Sequence, residues 1–231
     1  MTDATSRTFE VRHLQLARAV LAAMAAIMIT FTADHSAAVG LAVFSGYAIA
    51  TALVLLVAAW LVYPSGSRGP VVLLGALTLV AGMLTGIPPL RTTTLFFVAV
   101  IVWAFVTGIV ELVTGLRARR GRDPFARDAI LIGAVTIALG VGLLLVNPGY
   151  SLEYVIREAG PHAFTLTGIT IGVGLFGGYA AIVAVFLGIA GFSPRREASV
   201  PSVADGSAQS PDRVDAARAD NTPTHPAGET A

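Results

Sequence analysis

The chain contains no cysteine and no lysine. Without cysteine it has no disulfide, no thiolate zinc site and no cysteine nucleophile. Without lysine, a P-loop lysine and a Schiff-base lysine are both excluded. Charge of either sign is also scarce, because 13% of the residues are charged whereas soluble domains carry about 25%. The net charge of +1 gives no reason to expect a nucleic-acid partner.

What the chain has instead is long apolar blocks. Hydrophobic residues make up 55% of its 231 residues, and the mean hydropathy is +0.76. A helix needs about 20 residues to cross a hydrocarbon core of about 30 Å. Six blocks reach that length, at 14–32, 37–63, 70–87, 94–116, 129–147 and 164–191. The sequence predicts an all-α integral membrane protein in the lipid bilayer, with a six-helix transmembrane domain over 14–192.

Arginine placement predicts the orientation of these helices. With the N-terminus inside, the cytoplasmic segments and helix ends up to Arg196 hold eleven arginines, and the outer loops hold only Arg91 and Arg157. Positive residues remain on the cytoplasmic side, so both termini are expected there, in a bacterial inner (plasma) membrane. Residues 1–13 then form a cytoplasmic N-terminal segment. Residues 193–231 contain five prolines and no aromatic residue, which predicts a disordered cytoplasmic tail.

An internal repeat organises the six helices. The stretch LLGALTLVAG at 73–82 returns as LIGAVTIALG at 131–140, with five of ten positions identical. The second, fourth and sixth helices also correspond to one another, because each contains an aromatic residue followed by alanine, at Tyr47, Trp103 and Tyr179. Such repetition predicts repeated structural units, here with two spans each and therefore parallel in topology. The predicted units are three helical hairpins, at 14–63, 70–116 and 129–191.

The repeated hairpins resemble a known family. The stretches WAFVTGIVELVTGLRARR (103–120) and DAILIGAVTIALGVGLLLVNPG (128–149) look like the HdeD-like acid-resistance membrane proteins. These are short-repeat proteins whose biochemical function is unknown. The resemblance covers 14–192 and is clearest over 70–149, whereas the outer segment and the tail depart from it. It implies a six-helix inner-membrane protein of the stress response, associated with survival at low pH, and it transfers no catalytic residue.

Glycines in the helices predict helix packing. GVGLFG at 172–177 has the spacing of a dinucleotide fingerprint, but it lies in an uncharged run at 163–194 and lacks the strand-to-helix context that the fingerprint requires. No cofactor is therefore expected. Small residues four apart let helix backbones approach closely in lipid, within one chain or in contact with a second copy or another membrane protein. The glycines assigned this role are Gly75, Gly82, Gly133, Gly140, Gly168, Gly172, Gly174 and Gly178.

The outer loops carry groups that titrate in mild acid. Ser151 as an N-cap and Gly160-Pro161 as a stop predict a short helix over 152–159, either an ordinary interfacial helix or a lid or docking element. Carboxylates and imidazoles change charge between about pH 4 and 6.5, so the outer residues are candidates for acid sensing, with ordinary loop residues as the alternative. No metal site is expected from their spacing. These residues are Asp34, His35, Glu153, Glu158 and His162.

Two ionisable residues fall inside predicted spans. Arg18 lies about 6 Å and Glu111 about 9 Å from the predicted cytoplasmic surface, at 1.5 Å per helical residue. A charge at the centre of a bilayer costs about 2.5–3.5 kcal/mol on insertion scales, so a reason for each is needed. We predict an ion pair between the first and fourth helices, with independent snorkelling to the headgroups as the alternative.

The function predicted from these patterns is not enzymatic, since no acid, base and nucleophile cluster together at membrane depth. The expected protein acts structurally or through partner contacts, in the manner of the HdeD-like proteins. The alternative is a transporter or channel for protons or a small solute. Few polar groups in the helices could line such a path.

Overall fold

The computed structural model describes residues 11–63, 65–121, 126–155 and 163–193. Residues 1–10 and 194–231, which hold most of the predicted terminal segments, lie outside the described part. The helices are α1 (Val11–Phe31), α2 (Ala37–Leu61), α3 (Gly69–Gly86), α4 (Thr93–Arg120), α5 (Ala126–Leu145) and α6 (Gly168–Phe192). Two strands, β1 (Ser151–Val155) and β2 (Ala163–Thr167), stand between α5 and α6.

All six of these helices are long and apolar enough to cross a membrane. The described part of the chain is nearly all helical, so the prediction of six spans is confirmed at this level. Large hydrophobic side chains lie exposed on the outside of the bundle, among them Phe31, Trp60 and Leu145. Exposure of such an apolar surface to water is unfavourable, whereas lipid acyl chains solvate it well.

Hydroxyl side chains cap one end of the bundle. Ser36, Thr92 and Thr167 precede α2, α4 and α6, and each accepts a hydrogen bond from a backbone N–H in the first turn of its helix. The first four amides of a helix lack intrahelical acceptors, and leaving them unpaired is costly away from water. These three caps therefore set where the even-numbered helices begin.

The predicted short helix over 152–159 is wrong where the structure describes it. Residues 151–155 form β1, which pairs antiparallel with β2 so that Ser151 lies opposite Thr167. The sequences SLEYV and AFTLT are rich in β-branched and aromatic residues, and the ladder pairs backbone groups that a single helical turn would leave open. The all-α prediction is corrected by this hairpin, and α6 begins at Gly168, not at 164. Residues 156–162 lie outside the described part.

The helices form a closed ring in chain order, because each packs against the next and α6 packs against α1. The closest packing joins α2 to α3, α4 to α5 and α6 to α1. These are contacts between the predicted hairpins; the two helices within each hairpin pack less closely. In the ring, α1 and α4 stand on opposite sides.

Glycines explain most of the close approaches. A methyl group at Gly82 on α3 would lie 2.8 Å from Ile49 of α2. A methyl at Gly133 on α5 would lie 2.6 Å from the amide nitrogen of Leu112 on α4. Because a side chain would not fit at either position, backbone meets backbone, as in other small-residue contacts in membranes. Gly75 lies against the side chain of Leu56 on α2, and Gly140 against the ring of Phe105 on α4.

The four predicted packing glycines of α6 behave differently from one another. Gly168 packs against the backbone of Asn147, and Gly172 against the ring of Phe97. A methyl group at Gly174 or Gly178 would meet no described atom within 4 Å. Gly174 and Gly178 therefore make no close helix contact within the described chain. Their predicted packing role would need a contact with another molecule.

Candidate functional site

Arg18 and Glu111 form an ion pair inside the bundle. Nη2 of Arg18 on α1 donates to Oε1 of Glu111 on α4 at 2.6 Å. The side chains are only 16% and 9% exposed. The structure thus brings together the two residues that the sequence analysis paired, and it joins helices on opposite sides of the ring.

The local sequence of α1 admits the arginine. Ala19, Ala22 and Ala26 are buried, so this face of α1 is narrow and lies close to its neighbours. The long side chain of Arg18 then fills the space that the alanines leave and reaches α4. Removing two isolated charges from water is costly, and a direct hydrogen-bonded pair offsets part of that cost.

The ion pair borders a small polar cavity at the centre of the bundle. The volume that the centre of a water molecule can occupy in the cavity is about 10 Å³. This is about the room that one water needs. Each of the six helices contributes to the lining, and α1 does so through Arg18 alone. The lining residues are Tyr47, Thr51, Leu55, Leu74, Thr78, Trp103, Thr107, Thr136 and Tyr179, together with Arg18 and Glu111.

Hydrogen bonds fix several of these lining groups. Trp103 Nε1 donates to Thr78 Oγ1 at 3.3 Å. The hydroxyl groups of Thr136 and Tyr179 lie 3.1 Å apart and share a hydrogen bond. Thr107 Oγ1 donates to the carbonyl of Trp103 at 2.6 Å. Because these groups are buried and paired, their side chains are held in one arrangement.

Aromatic rings close the cavity toward the capped end of the bundle. Tyr47 and Trp103 have ring centroids 6.3 Å apart, and Trp103 and Tyr179 have centroids 6.0 Å apart. One turn nearer the caps, Phe44 and Phe176 lie 5.4 Å apart and are fully buried. Such edge-to-face contacts pack densely. The polar region therefore ends at these rings.

A second polar contact lies on the opposite side of the ion pair. Gln15 Nε2 on α1 donates to Oδ2 of Asp128, in the first turn of α5, at 2.8 Å. Gln15 is 6% exposed. It stands one helical turn from Arg18, so α1 presents two polar side chains on the same face, toward α4 and α5.

The outer titratable residues occupy more ordinary positions. The carboxylate of Asp34 accepts hydrogen bonds from the backbone N–H and the hydroxyl of Ser36, beside the cap of α2. His35 is half-buried, and Glu153 is exposed on β1. Glu158 and His162 lie outside the described residues, so acid sensing by this group stays a prediction. Within the described ranges, no three His, Asp or Glu side chains are placed to hold a metal ion.

The ion pair could be predicted from the sequence, whereas the cavity around it was not predicted. Tyr47, Trp103 and Tyr179 had been recognised only as repeat equivalents, and Thr78 and Thr136 only as part of the duplicated motif. A usable signal was present, since these polar-capable side chains recur at matching positions in otherwise apolar spans. Gln15 carried no such signal.

Comparisons of the chain with protein-family models, with curated proteins and with solved structures find no match. The likeness to the HdeD-like proteins therefore depends on the residues quoted for it. Chemically, the site holds one buried carboxylate against one guanidinium, beside a small polar cavity between packed helices.

Proposed function

We propose that this chain is a non-enzymatic bacterial inner-membrane protein of the HdeD-like acid-stress kind, acting structurally or through contact with a partner in the membrane. The observation that carries the proposal is the Arg18–Glu111 pair at 2.6 Å, which joins opposite sides of the helix ring. A carboxylate in that position makes the packing of the bundle depend on a charged contact between opposite helices.

The physical argument begins with the position of the pair. Because α1 and α4 are not neighbours in the ring, the contact between them passes through the centre of the bundle. Without the carboxylate of Glu111, Arg18 would be buried without a counter-ion, which is strongly unfavourable. The helices would then rearrange until Arg18 reached water. A partner bound to the bundle could detect that change.

The repeat and the orientation belong to the same proposal. Thr78 and Trp103 share a hydrogen bond in the second predicted hairpin, and Thr136 and Tyr179 share one in the third. These threonines occupy equivalent positions in the duplicated stretch, and the aromatic residues are repeat equivalents as well. The recurrence supports a relation between the second and third predicted hairpins. An even number of spans and the arginine bias support two cytoplasmic termini.

The experiment is a survival assay. A deletion strain is challenged at low pH in dense and in dilute cultures, and is complemented with the natural chain or with Glu111→Gln. The proposal expects reduced survival of the deletion strain, rescue by the natural chain and poor rescue by Glu111→Gln at equal protein level. Normal survival of the deletion strain at both densities would refute the acid-stress role.

A transporter or channel for protons or a small solute is the second candidate. It is favoured by one observation, a carboxylate beside Arg18, Tyr47 and Tyr179 in a cavity at membrane depth. The aromatic rings that close the cavity argue against an open path through the bundle. Purified protein in liposomes with a pH-sensitive dye inside decides between the two. Proton flux above that of empty liposomes, abolished by Glu111→Gln, would replace the structural proposal with this one.

A further inference from the structure

Three buried polar atoms on one side of the bundle have no hydrogen-bond partner among the described residues. They are Oε1 of Gln15, Nε of Arg18 and Oγ1 of Thr51. Gln15 and Thr51 are 6% and 4% exposed. Buried polar atoms in native proteins are nearly always paired, either with protein or with ordered water. Each of these atoms therefore needs a partner.

The three atoms follow one line through the bundle. Gln15 and Arg18 lie one turn apart on the same face of α1, and Gln15 is joined to Asp128 near the start of α5. Arg18 and Thr51 line the same central cavity. The line thus runs from the end of the bundle that bears Asp128 to the aromatic rings of Tyr47 and Trp103, and it stops there.

The chemistry of the three atoms selects water as the ligand. Oε1 of Gln15 is an acceptor, Nε of Arg18 is a donor, and the hydroxyl of Thr51 is both. The central cavity has room for about one water molecule. The hydroxyl of Tyr47 faces those of Tyr179 and Thr51, and all three residues line the same cavity. A buried water typically makes two to four such bonds.

We infer that ordered water occupies this line. One molecule in the central cavity accepts from Nε of Arg18 and bonds to Oγ1 of Thr51. A second donates to Oε1 of Gln15, one turn along α1. The ion pair is hydrated from this side alone, because the aromatic layer excludes water from the other. The inference concerns a ligand of the cavity and holds whether or not the proposed function is right.

Radiolytic footprinting tests the inference on the intact protein in lipid nanodiscs. A short X-ray pulse converts bound water into hydroxyl radicals, which oxidise the side chains beside it, and mass spectrometry locates the products. We expect oxidation of buried Tyr47, carrying ¹⁸O soon after mixing with ¹⁸O-labelled water. Phe44 and Phe176 are at least equally buried, one turn away on α2 and α6, and serve as internal controls that stay unmodified. Tyr47 oxidised no more than these two phenylalanines would overturn the inference.

Substitution of Thr51 gives a second, independent measurement. If water bridges Thr51 and Arg18, Thr51→Val leaves that water short of a partner, so the thermal unfolding midpoint falls by several degrees and Tyr47 labelling drops severalfold. Thr51→Ser retains the hydroxyl and keeps both values near those of the natural chain. Thr85→Val makes the same replacement of a hydroxyl by a methyl group at another buried threonine, whose hydroxyl donates to the carbonyl of Ala81, and serves as the control. It should leave Tyr47 labelling unchanged.

A rise in the unfolding midpoint of Thr51→Val would be as informative as a fall. A dry cavity would make the Thr51 hydroxyl an unpaired buried group, and its isosteric replacement by valine would then raise the unfolding midpoint. A raised midpoint with unchanged labelling of Tyr47 would refute the bound water.

Discussion

Arg18 on α1 and Glu111 on α4 lie 2.6 Å apart across the centre of the helix ring, and one turn away Gln15 joins α1 to Asp128 of α5. The first helix of the chain is therefore held to two helices that are not its neighbours in the sequence. These polar contacts join helices toward the end of the bundle that bears Asp128, whereas glycine contacts join neighbouring helices along their apolar length.

The ion pair should contribute measurably to stability. Removing one partner of a buried pair leaves an uncompensated charge, so Glu111→Gln and Arg18→Gln should each lower the free energy of unfolding by about 3 kcal/mol. The double variant Arg18→Gln/Glu111→Gln should lose clearly less than the sum, because no charge is then left unpaired. Unfolding in detergent, followed by circular dichroism, measures all four members of the cycle.

The matched control for this cycle is Arg68→Gln. Arg68 donates from Nε to the carbonyl of Tyr63 at the end of α2 and stacks over Trp60, and it has no acidic partner among the residues that the structure describes. Its loss should combine additively with Glu111→Gln, since the two sites share no contact. Strict additivity of the Arg18 and Glu111 variants as well would mean that the pair contributes no coupling energy.

The two tryptophans should report opposite environments. Trp60 is 72% exposed on the outside of the bundle, whereas Trp103 is 6% exposed and bonded to Thr78. In bilayers of brominated lipid, Trp103→Phe, which retains Trp60, should lose most of its fluorescence. Trp60→Phe should lose less, because its remaining indole is buried in the bundle. Equal quenching of the two variants would contradict the assignment of the outer surface to lipid.

Much of the fold follows from the sequence because apolar length alone determines a membrane helix. The six spans, and even the Arg18–Glu111 pair, could be predicted from two quantities that sequence carries directly, hydropathy and depth along a helix. The same rules mislead at 151–167. There the chain leaves the apolar blocks, and whether SLEYV forms a helix or a strand depends on pairing with AFTLT, a contact between distant residues.

The cavity could be predicted only in part, and for a different physical reason. Which helices pack most closely depends on how the faces of all six fit together, and the sequence repeat suggested pairs within each hairpin. The closest contacts instead join successive hairpins, where Gly82 and Gly133 remove the side chains that would separate the helices. Thr51 and Gln15 acquire meaning only after that packing brings them beside Arg18.

Orientation in the membrane should follow the arginines. Reporter domains fused after Arg122 and after Arg196 should be active in the cytoplasm, and one fused at Glu153 should be active outside, because arginines are retained on the cytoplasmic side. Two reporters that are each active on only one side of the membrane, such as a phosphatase and a fluorescent protein, provide the measurement. A cytoplasmic reporter at Glu153 would overturn the six-span orientation.

Two glycines give a last, sharply matched comparison. At Gly133 an added methyl would lie 2.6 Å from the amide nitrogen of Leu112, so Gly133→Ala must push α5 away from α4. Overpacking of this kind costs about 1–3 kcal/mol, and more where the neighbour is backbone. At Gly174 the same methyl meets no described atom within 4 Å, and alanine is the better helix former by roughly 1 kcal/mol. Gly174→Ala should therefore leave the unfolding midpoint in detergent unchanged or slightly higher, while Gly133→Ala lowers it by several degrees. Loss of stability in Gly174→Ala comparable with that in Gly133→Ala would mean that the open face of α6 is packed against something in the purified protein. Crosslinking and light scattering would then identify a second copy there.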